Sequence, residues 1–220
     1  MMRWLKGMRW LKPAKRAAKK IRRAYTRSLG PHRLKRMLAS PSSNRIVIGS
    51  AGRHDSGWVP TDEEFLDLLK PTDWDRFFPP ASIDALLAEH VWEHLTPEEA
   101  LTAARTCFRY LKPGGYLRIA VPDGLHPDPT YLQWVKVGGA SPGQLANDHK
   151  VLYTYKSSRE LFESAGFRVE LYEYFDEAGR FHCRDWDAKA GTIGRSKRFD
   201  KRNRGGRLIF TSIILDAVKP

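Results

Sequence analysis

The sequence predicts an α/β fold built on a mostly parallel sheet, preceded by a basic helical arm. Three observations predict it. Ser82 to Asp123 reads as strand, helix and strand within about 40 residues, the signature of a right-handed βαβ unit. Gly49, Asp62, Glu89 and Asp123 each fall at the carboxyl end of an expected strand, where open α/β sheets bind their ligands. The Lys and Arg residues are unevenly spread: residues 1–40 hold 14 of the 38 and no Asp or Glu.

The arm accounts for the net charge of +13, because residues 41–220 hold 24 basic against 25 acidic side chains. The body is near neutral, so overall basicity does not mark it as a nucleic-acid binder. At 220 residues and 41% hydrophobic content, the chain can bury one full core with an appendage. The expected organisation is a basic amphipathic arm over 1–40 and one α/β domain over 41–220. No run of about 18 apolar residues occurs, so no transmembrane helix is expected. Cys107 and Cys183 are too few and too scattered for a disulfide framework or a cysteine zinc site, and they suit a reducing cytoplasm.

Within the arm, Trp4, Met8, Leu11, Ala14, Ala18, Ile21 and Tyr25 recur at steps of three and four, one apolar stripe on a cationic helix. Pro13 is expected to kink that helix or end its first segment. Gly30-Pro31 is expected to stop it, and Pro31 to start a short second helix through Leu38. Three roles remain open. Residues 1–30 would suit an anionic membrane surface, at about 1 kcal/mol per basic residue, which would place the protein at the inner face of a membrane. They would also suit nucleic-acid phosphates, a weaker reading, or packing on the body with the charges solvated. Abundant Lys, scarce Ser and the lack of a continuous apolar segment argue against transit and secretory peptides.

In the body, Arg45-Ile46-Val47-Ile48 reads as a buried strand running into Gly49-Ser50-Ala51-Gly52. Gly57 to Asp62 reads as a second short strand ending in an acid, and Glu63 to Leu69 as a helix or an irregular turn. Ser82 to Ala88 is continuous and apolar, as strands buried on both faces are. A helix follows, with Thr96 as N-cap, Pro97 at its first position and Glu98 and Glu99 in its first turn. Lys112-Pro113-Gly114-Gly115 ends it, and Tyr116 to Val121 forms a strand. The stretch from Leu125 to Lys150 is rich in Gly and Pro and is expected to cover a site. A helix at 157–165, a strand at 167–174, a polar segment at 176–206 and a long strand at 207–218 complete the chain.

Three segments carry a family resemblance: Ala88-Glu89-His90-Val91-Trp92-Glu93-His94-Leu95, Tyr110 to Leu117 with its Lys-Pro-Gly-Gly turn, and Ala120-Val121-Pro122-Asp123. In that order and spacing they resemble class I S-adenosylmethionine (SAM)-dependent methyltransferases. The stretch from Arg45 onward further resembles predicted methyltransferases found among glycan-biosynthesis genes. That likeness rests on Asp148-His149-Lys150, Ala165-Gly166-Phe167 and the Arg195-Ser196, Arg198-Phe199-Asp200 and Arg202-Asn203 tail. The resemblance implies a Rossmann-like, seven-stranded, mostly parallel sheet with an antiparallel last strand, and SAM as cofactor. The acceptor it implies is a glycan, a lipid-linked sugar or a related small metabolite. Cofactor-binding positions carried over are Gly49, Ser50, Gly52, Asp62, Asp73 and Glu89.

The cofactor loop departs from that pattern. Gly49-Ser50-Ala51-Gly52 lacks the second of three expected glycines, and only 12 residues lie between Gly49 and Asp62. A parallel crossover takes about a dozen residues or more, so the first helix is absent or reduced to a turn. Either the arm covers that face of the sheet or the pocket is altered. Base candidates for methyl transfer are His149, Asp148, Asp123 and His90, with His149 preferred because it follows the Gly138–Gly143 loop. The arginines at 195, 198, 202, 204 and 207 would either clamp an anionic substrate or form a solvated basic loop. His90-Val91-Trp92-Glu93-His94 matches the inverted zinc-protease signature, but at a strand exit its two histidines diverge and no metal is expected. Expected functions are therefore a SAM-dependent methyltransferase, a non-catalytic protein of the same fold, or a nucleic-acid methyltransferase, the last disfavoured for want of an Asn-Pro-Pro-Tyr-type motif.

Overall fold

A computed structural model describes residues 11–39, 44–53, 55–139, 145–203 and 205–220 of the chain. In order, the elements are α1 (Leu11–Leu38), β1 (Arg45–Ile48), β2 (Val59–Pro60), α2 (Pro71–Asp75), β3 (Ile83–Glu89), α3 (Pro97–Tyr110) and β4 (Leu111–Pro122). They continue with α4 (Pro129–Val135), α5 (Tyr155–Ser164), β5 (Arg168–Phe175), β6 (Phe181–Cys183) and β7 (Ser212–Val218). Short 3-10 turns stand at Trp92–His94, Leu145–Asp148 and Ala188–Ala190.

The strands form one sheet in the order β2-β1-β3-β4-β7-β5-β6. Strands β2, β1, β3 and β4 pair in parallel, β7 runs antiparallel between β4 and β5, and β6 closes the edge as a hairpin on β5. This is the Rossmann-like sheet of the class I methyltransferase fold, with the antiparallel end formed by the strands expected to form it.

Side chains alternate across the sheet and divide the core in two. On one face Ile46, Ile48, Leu86, Ala88, Leu117, Ile119, Ile213 and Leu215 pack beneath α3 and α5. Helix α3 starts as expected: Thr96 and Glu99 form a reciprocal capping box, with the Thr96 amide donating to Glu99 Oε2 at 2.8 Å. On the other face Val47, Ala85, Leu87, Ala120 and Ile214 have no helix over them. Trp58 and Ile193 cover them, with Trp186, Tyr116 and Tyr172 packed alongside. The 176–206 segment, expected only as polar, is thus the second cover of the sheet.

That cover is held by a buried ion pair. Arg118 binds Asp216 through two bonds of 2.8 Å, and its remaining nitrogen donates to the carbonyls of Asp187 and Gly191 at 2.8 and 2.9 Å. Such a bidentate pair fixes orientation as well as charge. The last strand starts five residues later than the expected 207, because the Asn203 side chain takes the Ile209 and Phe210 amides (both 2.9 Å) that a strand would pair.

Among the described residues no helix bridges β1 and β2; residues 49–53 and 55–58 make turns and irregular chain instead. The arm takes the vacant place. Leu34 is fully buried in the main core, Met37 and Leu38 pack against it, and α1 lies beside β2. The expected stop at Gly30-Pro31 does not occur, since α1 runs unbroken through Pro31. Proline in a helix interior costs roughly 3 kcal/mol, and burial of Gly30 and Leu34 on the body offsets that here. Pro13 lies within the described part of α1 and does not end it. Further toward the N-terminus the described side chains turn outward, with Tyr25 62% exposed and Leu29 39% exposed. Residues 1–10, and with them the start of the expected apolar stripe, lie outside the described residues. No helix of the described residues is long and apolar enough to cross a membrane.

A Cβ at Gly30 would sit 2.3 Å from the Phe65 ring. Glycine to alanine in an exposed helix gains about 1 kcal/mol, but here Gly30→Ala should cost about 1–3 kcal/mol by overpacking. Urea unfolding should show a lower midpoint, partly restored by Phe65→Leu. A raised midpoint would mean that α1 is not seated on Phe65.

Candidate functional site

The parallel strands end at one edge of the sheet, and a cleft of about 760 Å³ opens there. One wall is the end of β1 with Gly49, Ser50, Ala51 and Arg53; the other is Glu89, His90, Glu93 and His94 after β3. Asp148 and His149 close one end, and Gly194 and Arg195 the other.

The first wall is a strained turn. Gly49, Ala51 and Gly52 all have positive φ (61°, 49° and 90°), which is unfavourable for the alanine. Asp62, directly after β2, holds the turn: its Oδ1 accepts the Ala51 amide at 2.9 Å and the Ser50 hydroxyl at 3.2 Å. At Gly49 a Cβ would come within 2.9 Å of Val91 Cγ2, so the Gly49 backbone approaches the Val91 side chain closely.

Glu89 ends β3 on the helix-free face and ties down the cover. Its carboxylate accepts the amides of Gly194 (3.0 Å) and Arg195 (2.8 Å) and the Arg195 guanidinium (3.3 Å). Arg53 joins Glu89 to the Thr192 carbonyl and pairs with Asp55 at 2.7 Å. Arg195 is therefore a structural contact, and so is Arg202, which binds Asp200 and lies over the Phe210 ring at 3.5 Å. Arg204 falls outside the described residues.

The next residue, His90, is the pivot of the second wall. At φ 57° it is a non-glycine residue in left-handed conformation, a strain of roughly 1–3 kcal/mol that surrounding structure must impose. Its Nε2 meets Ser212 Oγ at 3.0 Å and its Nδ1 lies 3.1 Å from Glu93 Oε1. The turn at Trp92–His94 buries Glu93 completely. Burial pushes the Glu93 carboxyl up, but neighbouring His90, its own backbone amide and His94 together hold it below the usual range.

His149 arrives from a distant loop. The Lys150 and Val151 amides donate to the Glu93 backbone carbonyl at 2.7 and 3.3 Å, which sets His149 beside the second wall. Its Nδ1–H donates to the Val135 carbonyl at 2.9 Å, so Nε2 faces Glu93 Oε1 at 3.9 Å. Asp148, with a side chain 73% exposed at the mouth, lies 3.1 Å from His94 Nδ1.

Of the residues expected from sequence, Gly49, Ser50, Glu89, His90, Asp148 and His149 line the cleft. Gly52 and Asp62 stand behind its first wall rather than in its lining. Two expectations need correction. Asp73 sits in α2, where it accepts the Asp67 amide at 3.4 Å and pairs with Arg76, and does not line the cleft. Asp123 is fully buried beneath the exit of β4, its two oxygens taken by the Leu125 (2.9 Å) and Phe175 (2.7 Å) amides. Burial pushes its carboxyl up to about 6, against the pull of those two amides. It fastens β4 to β5 and is not placed to take a substrate proton. Arg53 was not singled out from sequence, since nothing local distinguishes it from other surface arginines. Glu93 and His94 stand out in the sequence through the zinc signature and the Ala88–Leu95 segment, and neither marks them as cleft residues.

Residues 64–119, from the turn after β2 into β4, match the family model described as Methyltransferase domain. That match covers about a quarter of the chain. No protein among the curated ones matches in sequence. Solved structures similar to this chain include a SAM-dependent methyltransferase from Archaeoglobus fulgidus, 18% identical with a TM-score of 0.44, covering 88% of this chain and 94% of that one. A second is a SAM-dependent methyltransferase, possible histamine N-methyltransferase, from Thermotoga maritima. It is 11% identical with a TM-score of 0.49, covering 93% of this chain and 96% of that one. Phosphoethanolamine N-methyltransferase 2 of Haemonchus contortus, in complex with S-adenosyl-L-methionine, is 14% identical with a TM-score of 0.42, covering 85% of this chain and 51% of that one.

If Glu89 fastens the cover, Glu89→Ala should free the Gly194 and Arg195 amides. Hydrogen exchange at those two positions is expected to accelerate tenfold or more, while exchange in β3 and β4 stays slow. Unchanged protection at Gly194 and Arg195 would mean that the cover is held by other contacts.

Proposed function

We propose that this chain is a SAM-dependent methyltransferase acting on a hydroxyl-bearing acceptor, a glycan, lipid-linked sugar or related metabolite, at a membrane surface. The observation that carries the reading is the cleft itself. It lies at the carboxyl ends of β1 and β3, with a glycine turn on one wall and imidazoles and carboxylates on the other. Ligands of open α/β sheets bind at this edge.

The residues present fit the cofactor. The turn after β1 brings backbone to the cleft without an intervening side chain at Gly49. Asp62 stands behind that turn and fixes it through Oδ1, so it would act on the cofactor through the backbone it holds. SAM supplies an electrophilic methyl group on a sulfonium sulfur. The chain's own contribution is placement: His90 and His149 bound the acceptor end, and Asp148 at the mouth can pass a proton to solvent. A small polar acceptor suits a cleft lined by imidazole and carboxylate groups.

A second reading, a binding protein of the same fold without turnover, is favoured by the shortened connection between β1 and β2. Calorimetric titration with SAM and S-adenosylhomocysteine separates the two. Binding is expected, and Asp62→Ala should weaken it at least tenfold, about 1.4 kcal/mol. No heat at millimolar ligand would sink the enzyme reading.

The arm supports the membrane part of the proposal. Its basic residues from Lys12 to Arg36 lie on a helix whose Tyr25 and Leu29 are exposed, and each basic residue near anionic lipid is worth about 1 kcal/mol. Full-length chain should float with vesicles containing anionic lipid, and a chain lacking residues 1–23, which keeps the docked end of α1, should not. Equal flotation of both forms removes the membrane role.

A further inference from the structure

Glu93 faces imidazoles, with no hydrogen bond that satisfies its two carboxylate oxygens. Its carboxylate is completely buried, yet neither Oε1 nor Oε2 receives a hydrogen bond. His90 Nδ1 comes within 3.1 Å of Oε1 but outside hydrogen-bonding geometry, and His149 Nε2 is 3.9 Å away. No lysine or arginine among the described residues pairs with it. Buried charges in proteins are paired or coordinate metals. His94 Nδ1, too, is buried without a hydrogen bond.

We propose that Glu93, His94 and His149 hold a divalent transition-metal ion, of the zinc or manganese kind, at the acceptor end of the cleft. One ligand atom from each of the three lies within 4.8 Å of the others. Metal–ligand bonds of about 2.0–2.2 Å place such atoms roughly 3.4 Å apart in a tetrahedron. The site closes with a shift of about 1 Å, which His94 can make because its side chain is 30% exposed. His149 is already oriented for the task. Its Nδ1–H is spent on the Val135 carbonyl, which leaves Nε2 with the lone pair and fixes the ring for ligation. The backbone bonds from Lys150 and Val151 to Glu93 hold the two ligands together.

The donor set of two imidazoles and a carboxylate favours transition ions over Mg²⁺ or Ca²⁺. Asp148, 3.1 Å from His94 at the cleft mouth, stands beside the remaining coordination position. The set is not the sequence signature read literally. His90 is turned to Ser212 and Glu93, and His149 from the distant loop stands where a second histidine of the signature would.

The ion's catalytic role rests on the methyltransferase reading. An acceptor hydroxyl bound to it is acidified, its O–H bond breaks with the electron pair staying on oxygen, and the proton passes to the Asp148 carboxylate. Binding of the ion does not depend on that reading.

The test uses the full chain, stripped with a chelator and titrated with Zn²⁺ by calorimetry, with Co²⁺ as a coloured probe by visible absorption. One equivalent per chain is expected. Glu93→Gln, His94→Gln and His149→Gln should each weaken it at least tenfold, and His90→Gln less than threefold. Circular dichroism checks folding, and His94→Gln, the most exposed of the three, keeps the test open if the buried variants unfold. Absence of saturable binding, or equal affinity in the wild type and the His94→Gln and His149→Gln variants, overturns the site. SAM is titrated into the same samples. Metal binding without SAM binding upholds the site and removes its catalytic role, whereas SAM binding without metal binding overturns the site alone.

Discussion

Ten residues, 49–58, carry the chain from β1 to its parallel neighbour β2, and that is too short for a crossover helix. The strands are nonetheless apolar on both faces, so the missing cover must come from elsewhere in the chain. The end of α1 supplies it on one face, through Leu34 and the contact of Gly30 with Phe65. One helix therefore has two faces of work: its C-terminal turns belong to the core, while Tyr25 and Leu29 remain exposed. The same short connection shapes the first wall of the cleft. With no helix to follow, the 49–52 turn is fastened by Asp62, and it keeps positive φ at Ala51.

The opposite face meets the same demand by a different route. Apolar residues of β1, β3, β4 and β7 are covered by a segment without regular helices, and such a segment needs anchors for its backbone groups. Arg118, Glu89, Glu173 and Asn203 provide them from strands and turns, each taking or giving two or more bonds. Because Glu89 is also the last residue of β3, the anchor of the cover and the edge of the cleft are one residue. The ligand-facing edge and the stability of the C-terminal segment are coupled through that carboxylate.

Much of the fold was legible locally. The Thr96-Pro97 start of α3 and the two-faced apolar strand β3 are short-range signals, and the structure has each of them within a residue or two; β4 instead starts at Leu111, ahead of the expected Tyr116, and takes the Gly-Gly segment in as an irregularity of its pairing with β3. The absent first helix could also be counted from the spacing. Harder to read were elements whose reasons are tertiary. Proline 31 is a helix stop in isolation, but packing on Phe65 carries α1 through it. The polar 176–206 segment shows no periodicity because its order comes from hydrogen bonds to distant side chains.

The site divides along the same line. Sequence alone determined which strand ends carry Gly49, Asp62, Glu89 and Asp123, since strand boundaries are set by local pattern. It did not determine which carboxylate faces the cleft. Asp123 is turned under β4 by two amides, Asp62 is spent in part on its own turn, and Glu89 is claimed by the cover. Only the tertiary structure brought His149 across 56 residues to Glu93, through backbone bonds that no local pattern encodes. Spacing along the chain fixes which residues can share a strand or a turn; which side chains meet depends on long-range closure.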